Sequence, residues 1–591
     1  MEEVKVVDEN VSLQSDSKEI LSETDNGKKK RVKKPLTKGK KIALIIVLAN
    51  VAAILIPVIV LAIMFGPTAY KMWYVKNDTG VNKVDTELTS EQRLSDLEYM
   101  YNLVCLNSPS KEVYEEAYGI SYEDVYNRYR GLVADCDSEF EYIGYLMSFL
   151  SVLPGQHNYM YLPDYQKNIV EGQFSMIEIC GTQEIKDYSY SWKEDFYDDV
   201  RDCLNYDAYI FSYVDGSYIG ISSTLYDNVS DEYVFGKIIS IDGKDPNDLC
   251  FDYLSAYAPS YDMGHDCFFR SKLIFNSGMG EKHSAEILMS DGTILNADLY
   301  DDPAFESAIL DGPERYEDLF PKYQEYIAAD KSKEDDIPDS YRIFTDEERH
   351  LVYVESLSCN HSEGEQFKTD FKEAVDRVDA ETVIIDVRSN GGGDVLFSTG
   401  DILPMVFNKD MEYICYSYGY KNQHTRHFYS SPFYTVFMTN IMNFKLKTDK
   451  DKYYLTEDCS IKGQAEKEYK IYLLTSQDTF SAADTMSRIC SEYDDVVLVG
   501  TNTGGEGVCG IIINCYLPES RFVFNYMPST NIYYPEDGVC GTMPDVYMPC
   551  TYEEYIYRRE MKQRGEDPDT YENRLEWDKT LIYVIDEVDN G

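Results

Sequence analysis

The sequence predicts a multidomain ectodomain of mixed α+β and α/β class behind a single N-terminal transmembrane helix. Three observations support this. An uncharged apolar run follows a basic cluster near the N-terminus, the texture then passes from helical periodicity to short Tyr/Ile/Val runs broken by Asp-Gly, and later it alternates apolar strands with a helix. At 591 residues, 43% of them hydrophobic, the chain is too long for one ordinary domain and too apolar for disorder. At roughly 150 residues per domain it has room for three or four units.

Residues 1–41 hold 11 Lys/Arg against 8 Asp/Glu, which leaves 44 against 97 for the rest, so a net charge of −50 divides into +3 and −53. The first 41 residues lack hydrophobic periodicity and read as a disordered cytoplasmic tail. Nine basic residues between Lys28 and Lys41 precede Ile42–Gly66, 25 residues without a charge. At about 1.5 Å per residue that run crosses a hydrocarbon core of about 30 Å. The flank FGPTAYKMWY lacks the small residues of a signal-peptide cleavage site. Basic residues stay inside, so the sequence places a single-pass anchor in the lipid bilayer with the C-terminal part outside the cell membrane. An outer part this acidic repels phosphate backbones and argues against a nucleic-acid partner. All 14 Cys lie in that part with no CxxC spacing, which leaves disulfides and free thiols both open.

After a stem at 67–89, a helical region spans 90–165. Leu94, Leu97, Tyr101 and Val104 recur at three and four, and Ser138-x-x-Glu141 opens a second helix that Pro154-Gly155 ends. His157 follows that stop. Residues 166–300 read as β-rich, with Asp-Gly at 215–216, 242–243 and 291–292 marking turns. An acidic, Pro-containing connector fills 301–345. The segment 346–550 reads as α/β, with strands at Val383–Ile385, Ile471–Thr475 and Val496–Val499 and a helix from Ser481 to about Cys490, a βαβ unit with parallel pairing. The end, 551–591, is a charged helical tail.

Ser481 stands at a strand-to-helix junction, where a hydroxyl meets the positive end of the helix dipole. Its Ser-x-x-Asp pattern is equally a plain N-cap. Gly391-Gly392-Gly393 follows the strand at 383–385, where parallel sheets place their sites and where backbone N–H groups can bind an oxyanion. A serine nucleophile needs a base, and of seven histidines His157 is set apart by its place on a loop behind a terminated helix.

Five ordered blocks, Asp386 to Gly393, Thr479 to Asp484, Leu498 to Gly505, Asp537-Gly538 and Pro544-Asp545, together resemble the S41 serine peptidases. These are the C-terminal processing or tail-specific proteases and their relatives, including the tricorn core protease. The resemblance implies an α/β core of the ClpP/crotonase-like kind, and Gly236–Lys244 is similar to a PDZ-like segment, which would make 166–300 a PDZ-like domain that accepts an extended peptide. The family's lysine branch carries a lysine where this chain has Glu506, so a Ser/Lys dyad is absent from that place. Pro154–Asn158 looks like the histidine turn of the tricorn-like branch. By that resemblance Ser481 is the nucleophile, His157 the general base, and the N–H groups of Gly392 and Ala482 the oxyanion hole. That branch also has a supporting glutamate, at the position of Gly538 here. Glu506, Glu536 and Asp537 could take its place, and the sequence leaves the choice open. The implied activity is a serine endopeptidase acting on protein or peptide substrates through an acyl-enzyme, with no metal or organic cofactor. The altered lysine and glutamate positions support a second reading, a catalytically inactive fold that binds peptides or another ligand.

Overall fold

The computed structural model describes Leu55, Ile59 and residues 82–136, 138–155, 157–161, 183–192, 209–221, 235–250, 259–262, 264–270, 272–275, 283–289, 291–298, 339–430, 444–507, 512–531 and 541–590. The chain divides into two compact units, Met1–Ile63 and Met64–Gly591, and the elements below belong to the second. The predicted tail, nearly all of the Ile42–Gly66 span, most of the connector, and Glu536, Asp537 and Gly538 lie outside the described residues. Among the described residues no helix is long and apolar enough to cross a membrane.

The helical region contains α1 (Ser90–Met100), α2 (Ser110–Tyr118), α3 (Tyr122–Asp135) and α4 (Glu139–Val152). Thr89 with Gln92 and Ser138 with Glu141 close capping boxes at α1 and α4, satisfying amides the helices leave unpaired. A short strand, β1 (Tyr159–Tyr161), and α5 (Gln183–Ser191) follow.

The β-rich region comprises β2 (Tyr209–Val214), β3 (Ser217–Ile221), β4 (Phe235–Ile241), β5 (Pro259–Asp262), β6 (Cys267–Arg270), β7 (Lys272–Phe275), β8 (Ser284–Met289) and β9 (Ile294–Asp298). Six of these strands form an antiparallel sheet in the order β7-β2-β3-β4-β8-β9, and β5 and β6 form a separate pair. Asp215-Gly216 and Asp291-Gly292 turn the β2–β3 and β8–β9 hairpins as expected. Asp242-Gly243 differs: it makes a local turn at the end of β4, whose sheet partners are β3 and β8.

The α/β core runs through β10 (Tyr341–Asp346), β11 (Leu351–Ser356), α6 (Gly364–Val378), β12 (Thr382–Asp386), β13 (Met411–Tyr420), β14 (Phe444–Thr448), β15 (Lys452–Ile461), β16 (Lys470–Thr475), α7 (Ala482–Ser491), β17 (Val496–Gly500), β18 (Ile513–Tyr516), β19 (Val523–Tyr526), β20 (Ser529–Asn531) and β21 (Val546–Tyr547). Helices α8 (Tyr552–Arg564), α9 (Tyr571–Trp577) and α10 (Lys579–Asn590) end it. The central sheet has the order β10-β11-β12-β16-β17-β21, parallel except for β10.

Strands β11 and β12 are buried along their whole length, as a parallel sheet covered on both faces requires. Alternate residues serve opposite faces. Val352, Val383, Ile385, Ile471 and Leu473 pack with Phe367 and Phe371 of α6 and Met486 and Ile489 of α7. On the other side Tyr353, Ile384, Tyr472 and Leu474 meet Tyr571, Leu581, Val584 and Ile585 of α9 and α10. A third core joins α1, α3 and α4 to Ile513, Cys515, Phe522, Phe524 and Tyr526 around β18 and β19, and β1 pairs antiparallel with β19. The helical region is therefore built onto strands that lie more than three hundred residues downstream. Among the described residues Cys105, Cys136, Cys267, Cys359, Cys490, Cys515 and Cys550 are free thiols.

Candidate active site

Parallel pairing brings the C-terminal ends of β12, β16 and β17 side by side, and the loops leaving those ends, 387–394, 476–481 and 501–507, build one site. Backbone hydrogen bonds lace them together. Phe480 N–H donates to Asn390 O at 3.0 Å, Gly504 N–H to Thr479 O at 2.8 Å and Ser481 N–H to Gly505 O at 3.0 Å.

Ser481 sits directly before α7 with φ 54° and ψ −117°, and its side chain caps nothing. The N-cap reading of Ser-x-x-Asp is thus corrected: the hydroxyl is turned away from the helix amides. It meets His157 instead, with 3.0 Å between Ser481 Oγ and His157 Nε2.

His157 is delivered from the helical region. Asn158, buried beside it, donates through Nδ2 to Leu153 O at 3.2 Å and Pro154 O at 3.0 Å and accepts from Met527 N–H at 3.2 Å. Tyr159 N–H donates to Asn525 Oδ1 at 2.8 Å, so β1 and β19 fix the turn that carries the imidazole. The ring lies on Phe480, with centroids 4.7 Å apart. Its other nitrogen, Nδ1, is 3.4 Å from Glu506 Oε2, and both side chains are only 12% exposed. Of the three carboxylates left open above, Glu506 is the one brought to His157; Glu536 and Asp537 lie outside the described residues.

Gly392 passes close beside Ser481. A Cβ there would stand 2.7 Å from both Phe480 O and Ser481 Cβ, and its φ of +100° suits only glycine. Its N–H is not idle, however. It donates to Asn390 Oδ1 at 2.9 Å, and buried Asn390 is itself held by Ser356 Oγ at 2.9 Å. The Ala482 N–H has no acceptor among the described residues.

Asp484, one turn into α7, is fully buried. Burial pushes its carboxyl above the ordinary range while hydrogen bonds from Thr503, Thr542 and the Gly507 amide oppose the shift. Sequence reading singled out neither Asp484, Asn158 nor Asn390 as builders of the site. The three fall inside the segments Asp386–Gly393, Thr479–Asp484 and Pro154–Asn158 that carry the family resemblance, and Ser-x-x-Asp by itself points to a helix cap.

Residues 350–547 match the model of peptidase family S41. A comparison with curated proteins finds no match. Among solved structures the chain is similar to mature CPAF, at 14% identity over 85% of this chain and 98% of that one, TM-score 0.45. It is similar also to the photosystem II D1 C-terminal processing protease, at 11% identity over 81% and 98%, TM-score 0.32. The tricorn protease aligns at 15% identity over 85% of this chain and 37% of that one, TM-score 0.26. Residues 350–547, which contain the strand ends and the serine described above, are thus similar to peptidase family S41.

Proposed function

We propose that the chain is a membrane-anchored, extracytoplasmic serine endopeptidase that cleaves protein or peptide substrates through an acyl-enzyme. The observation that carries the chemistry is the 3.0 Å contact between Ser481 Oγ and His157 Nε2, a nucleophile and a base within hydrogen-bond reach. Ser481 Oγ attacks the scissile carbonyl carbon as His157 Nε2 takes its proton. The same nitrogen returns that proton to the leaving amine as the C–N bond breaks, and a water repeats the sequence to release the acid. The Ala482 amide is one oxyanion donor. The Gly392 amide is the second, because a developing oxyanion is a stronger acceptor than the neutral Asn390 oxygen that holds it at rest.

The anchor is read from Ile42–Gly66 and the basic cluster before it. The β-rich region between 166 and 300 is read, from Gly236–Lys244, as a PDZ-like unit that receives an extended substrate segment by strand addition. The contact between serine and histidine favours turnover over a purely binding role.

The test is a fluorophosphonate probe and an unfolded protein substrate offered to the full chain in detergent. Wild type is expected to label and to cleave, Ser481→Ala to do neither, and His157→Ala to lose up to about 10⁶-fold in kcat, the scale of such losses in serine-triad peptidases. Wild type that labels and cleaves no better than Ser481→Ala overturns the proposal.

A further inference from the structure

The supporting carboxylate of the family block is missing at Gly538, yet His157 has a carboxylate against its far nitrogen. Glu506 reaches it at 3.4 Å from the loop after β17, both groups being nearly closed to solvent. Ser481 and Glu506 are the titratable side chains in hydrogen-bond contact with His157 among the described residues.

Glu506 does not hold that place by itself. Its φ is +60°, in the left-handed region that glutamate avoids, so the surrounding loop must impose the conformation. Asp484 supplies the constraint. Its Oδ2 accepts from Gly507 N–H at 2.8 Å, and its Oδ1 accepts from Thr542 Oγ at 2.8 Å and from the Thr503 hydroxyl. One buried carboxylate thus grips the residue after Glu506 and the residue three before it. A Cβ on Gly507 would stand 2.5 Å from Asp484 Oδ2, so the grip needs a glycine there. Thr542 N–H adds a bond to Thr503 Oγ at 2.6 Å, closing the loop from its far side. Asp484 also lies three residues after Ser481 on the same helix start, so one rigid turn registers the nucleophile against the loop carrying Glu506.

We propose that Glu506 is the carboxylate that orients His157, taking over from the vacant 538 position, and that Asp484, Thr503 and Thr542 form a buried clamp whose task is to aim it. Glu506 keeps the His157 proton on Nδ1, leaves Nε2 free to accept from Ser481, and stabilises the imidazolium formed during attack. Asp484 touches no reacting atom and is a positioning residue. The proposal rests on the peptidase reading above.

In the full chain, Glu506→Gln is expected to lower kcat/KM by as much as about 10⁴-fold, the cost of the corresponding change in the serine-triad template, with its thermal midpoint nearly unchanged. Asp484→Asn and Thr542→Val lower kcat/KM through the same group, so adding either to Glu506→Gln costs little more, whereas Thr542→Ser keeps the hydroxyl and the activity. If wild type labels and cleaves while Glu506→Gln retains its rate, the triad assignment is wrong. Losses from Thr542→Val and Glu506→Gln that multiply would show the clamp to be structural alone. A wild-type chain that does not react with the probe instead removes the peptidase reading on which the proposal stands.

Discussion

Ser481 stores strain. At φ 54° and ψ −117° Ser481 occupies backbone space that glycine enters freely and other residues enter at a cost of about 1 to 3 kcal/mol. Such strain survives only when the surroundings impose it, here through the Ser481 and Phe480 amide bonds to Gly505 and Asn390. Two substitutions that both abolish activity should therefore differ in stability. Ser481→Gly is expected to be about 1 kcal/mol more stable than Ser481→Ala in chemical denaturation, and equal stabilities would show that the strain is not there. At this scale Ser481 and the glycine loop stood out in the sequence because each falls in an ordered block with its own strand signal, and His157 because it follows a helix stop. Asp484 and Asn158 did not. Their partners lie 23 and 369 residues away in sequence at Gly507 and Met527, and no local pattern encodes a bond of that reach.

The parallel strands were legible for a simple reason: Val383–Ile385, Ile471–Thr475 and Val496–Val499 are short apolar runs bounded by polar turns, and burial on both faces writes itself into composition. Strands β1 and β20 have three residues each, too few for any period, and the β13–β15 sheet was not anticipated. An ionic network adds to the apolar packing that ties the C-terminal helices to the core. Arg388 donates to Asp386 at 2.6 Å and to Asp578 at 2.6 Å, and Arg574 pairs with Glu355 and Asp578. Burial alone would raise the Asp578 carboxyl, but Arg388 and Arg574 outweigh it and hold the group below the ordinary range. A depressed folded pKa stabilises the fold above the unfolded value near pH 4 and is lost as pH falls through the lower folded value. Asp578→Ala removes charge-assisted hydrogen bonds from a buried cluster that keeps Arg388 on Asp386 and Arg574 on Glu355, and should cost about 1.5 to 3 kcal/mol in urea denaturation at pH 7, with the difference from wild type shrinking below pH 4. A loss under 1 kcal/mol at neutral pH would mean the network does not anchor these helices.

For the whole molecule, the charge division of +3 before the apolar run and −53 after it makes a directional claim. Protease added to intact cells is expected to remove the region after Gly66 and to spare residues 1–41; complete protection of the C-terminal part would reverse the orientation. The domain organisation was legible only in part. Periodicity marked α1 and α4, but their core is completed by Phe522, Phe524 and Tyr526, a long-range partnership that periodicity does not report.

That partnership also sets a clock. His157 and Ser481 are separated by 324 residues, and β1, which carries the turn of His157, finds its sheet neighbour among the described residues in Val523–Tyr526. A chain made from its N-terminus presents the imidazole first, the hydroxyl long afterwards, and the strand that aligns them later still. Until Tyr526 has emerged the growing polypeptide cannot complete the β1–β19 pairing that sets His157 against Ser481, so the proposed hydrolytic centre stays unassembled while the segment between the two residues is being made.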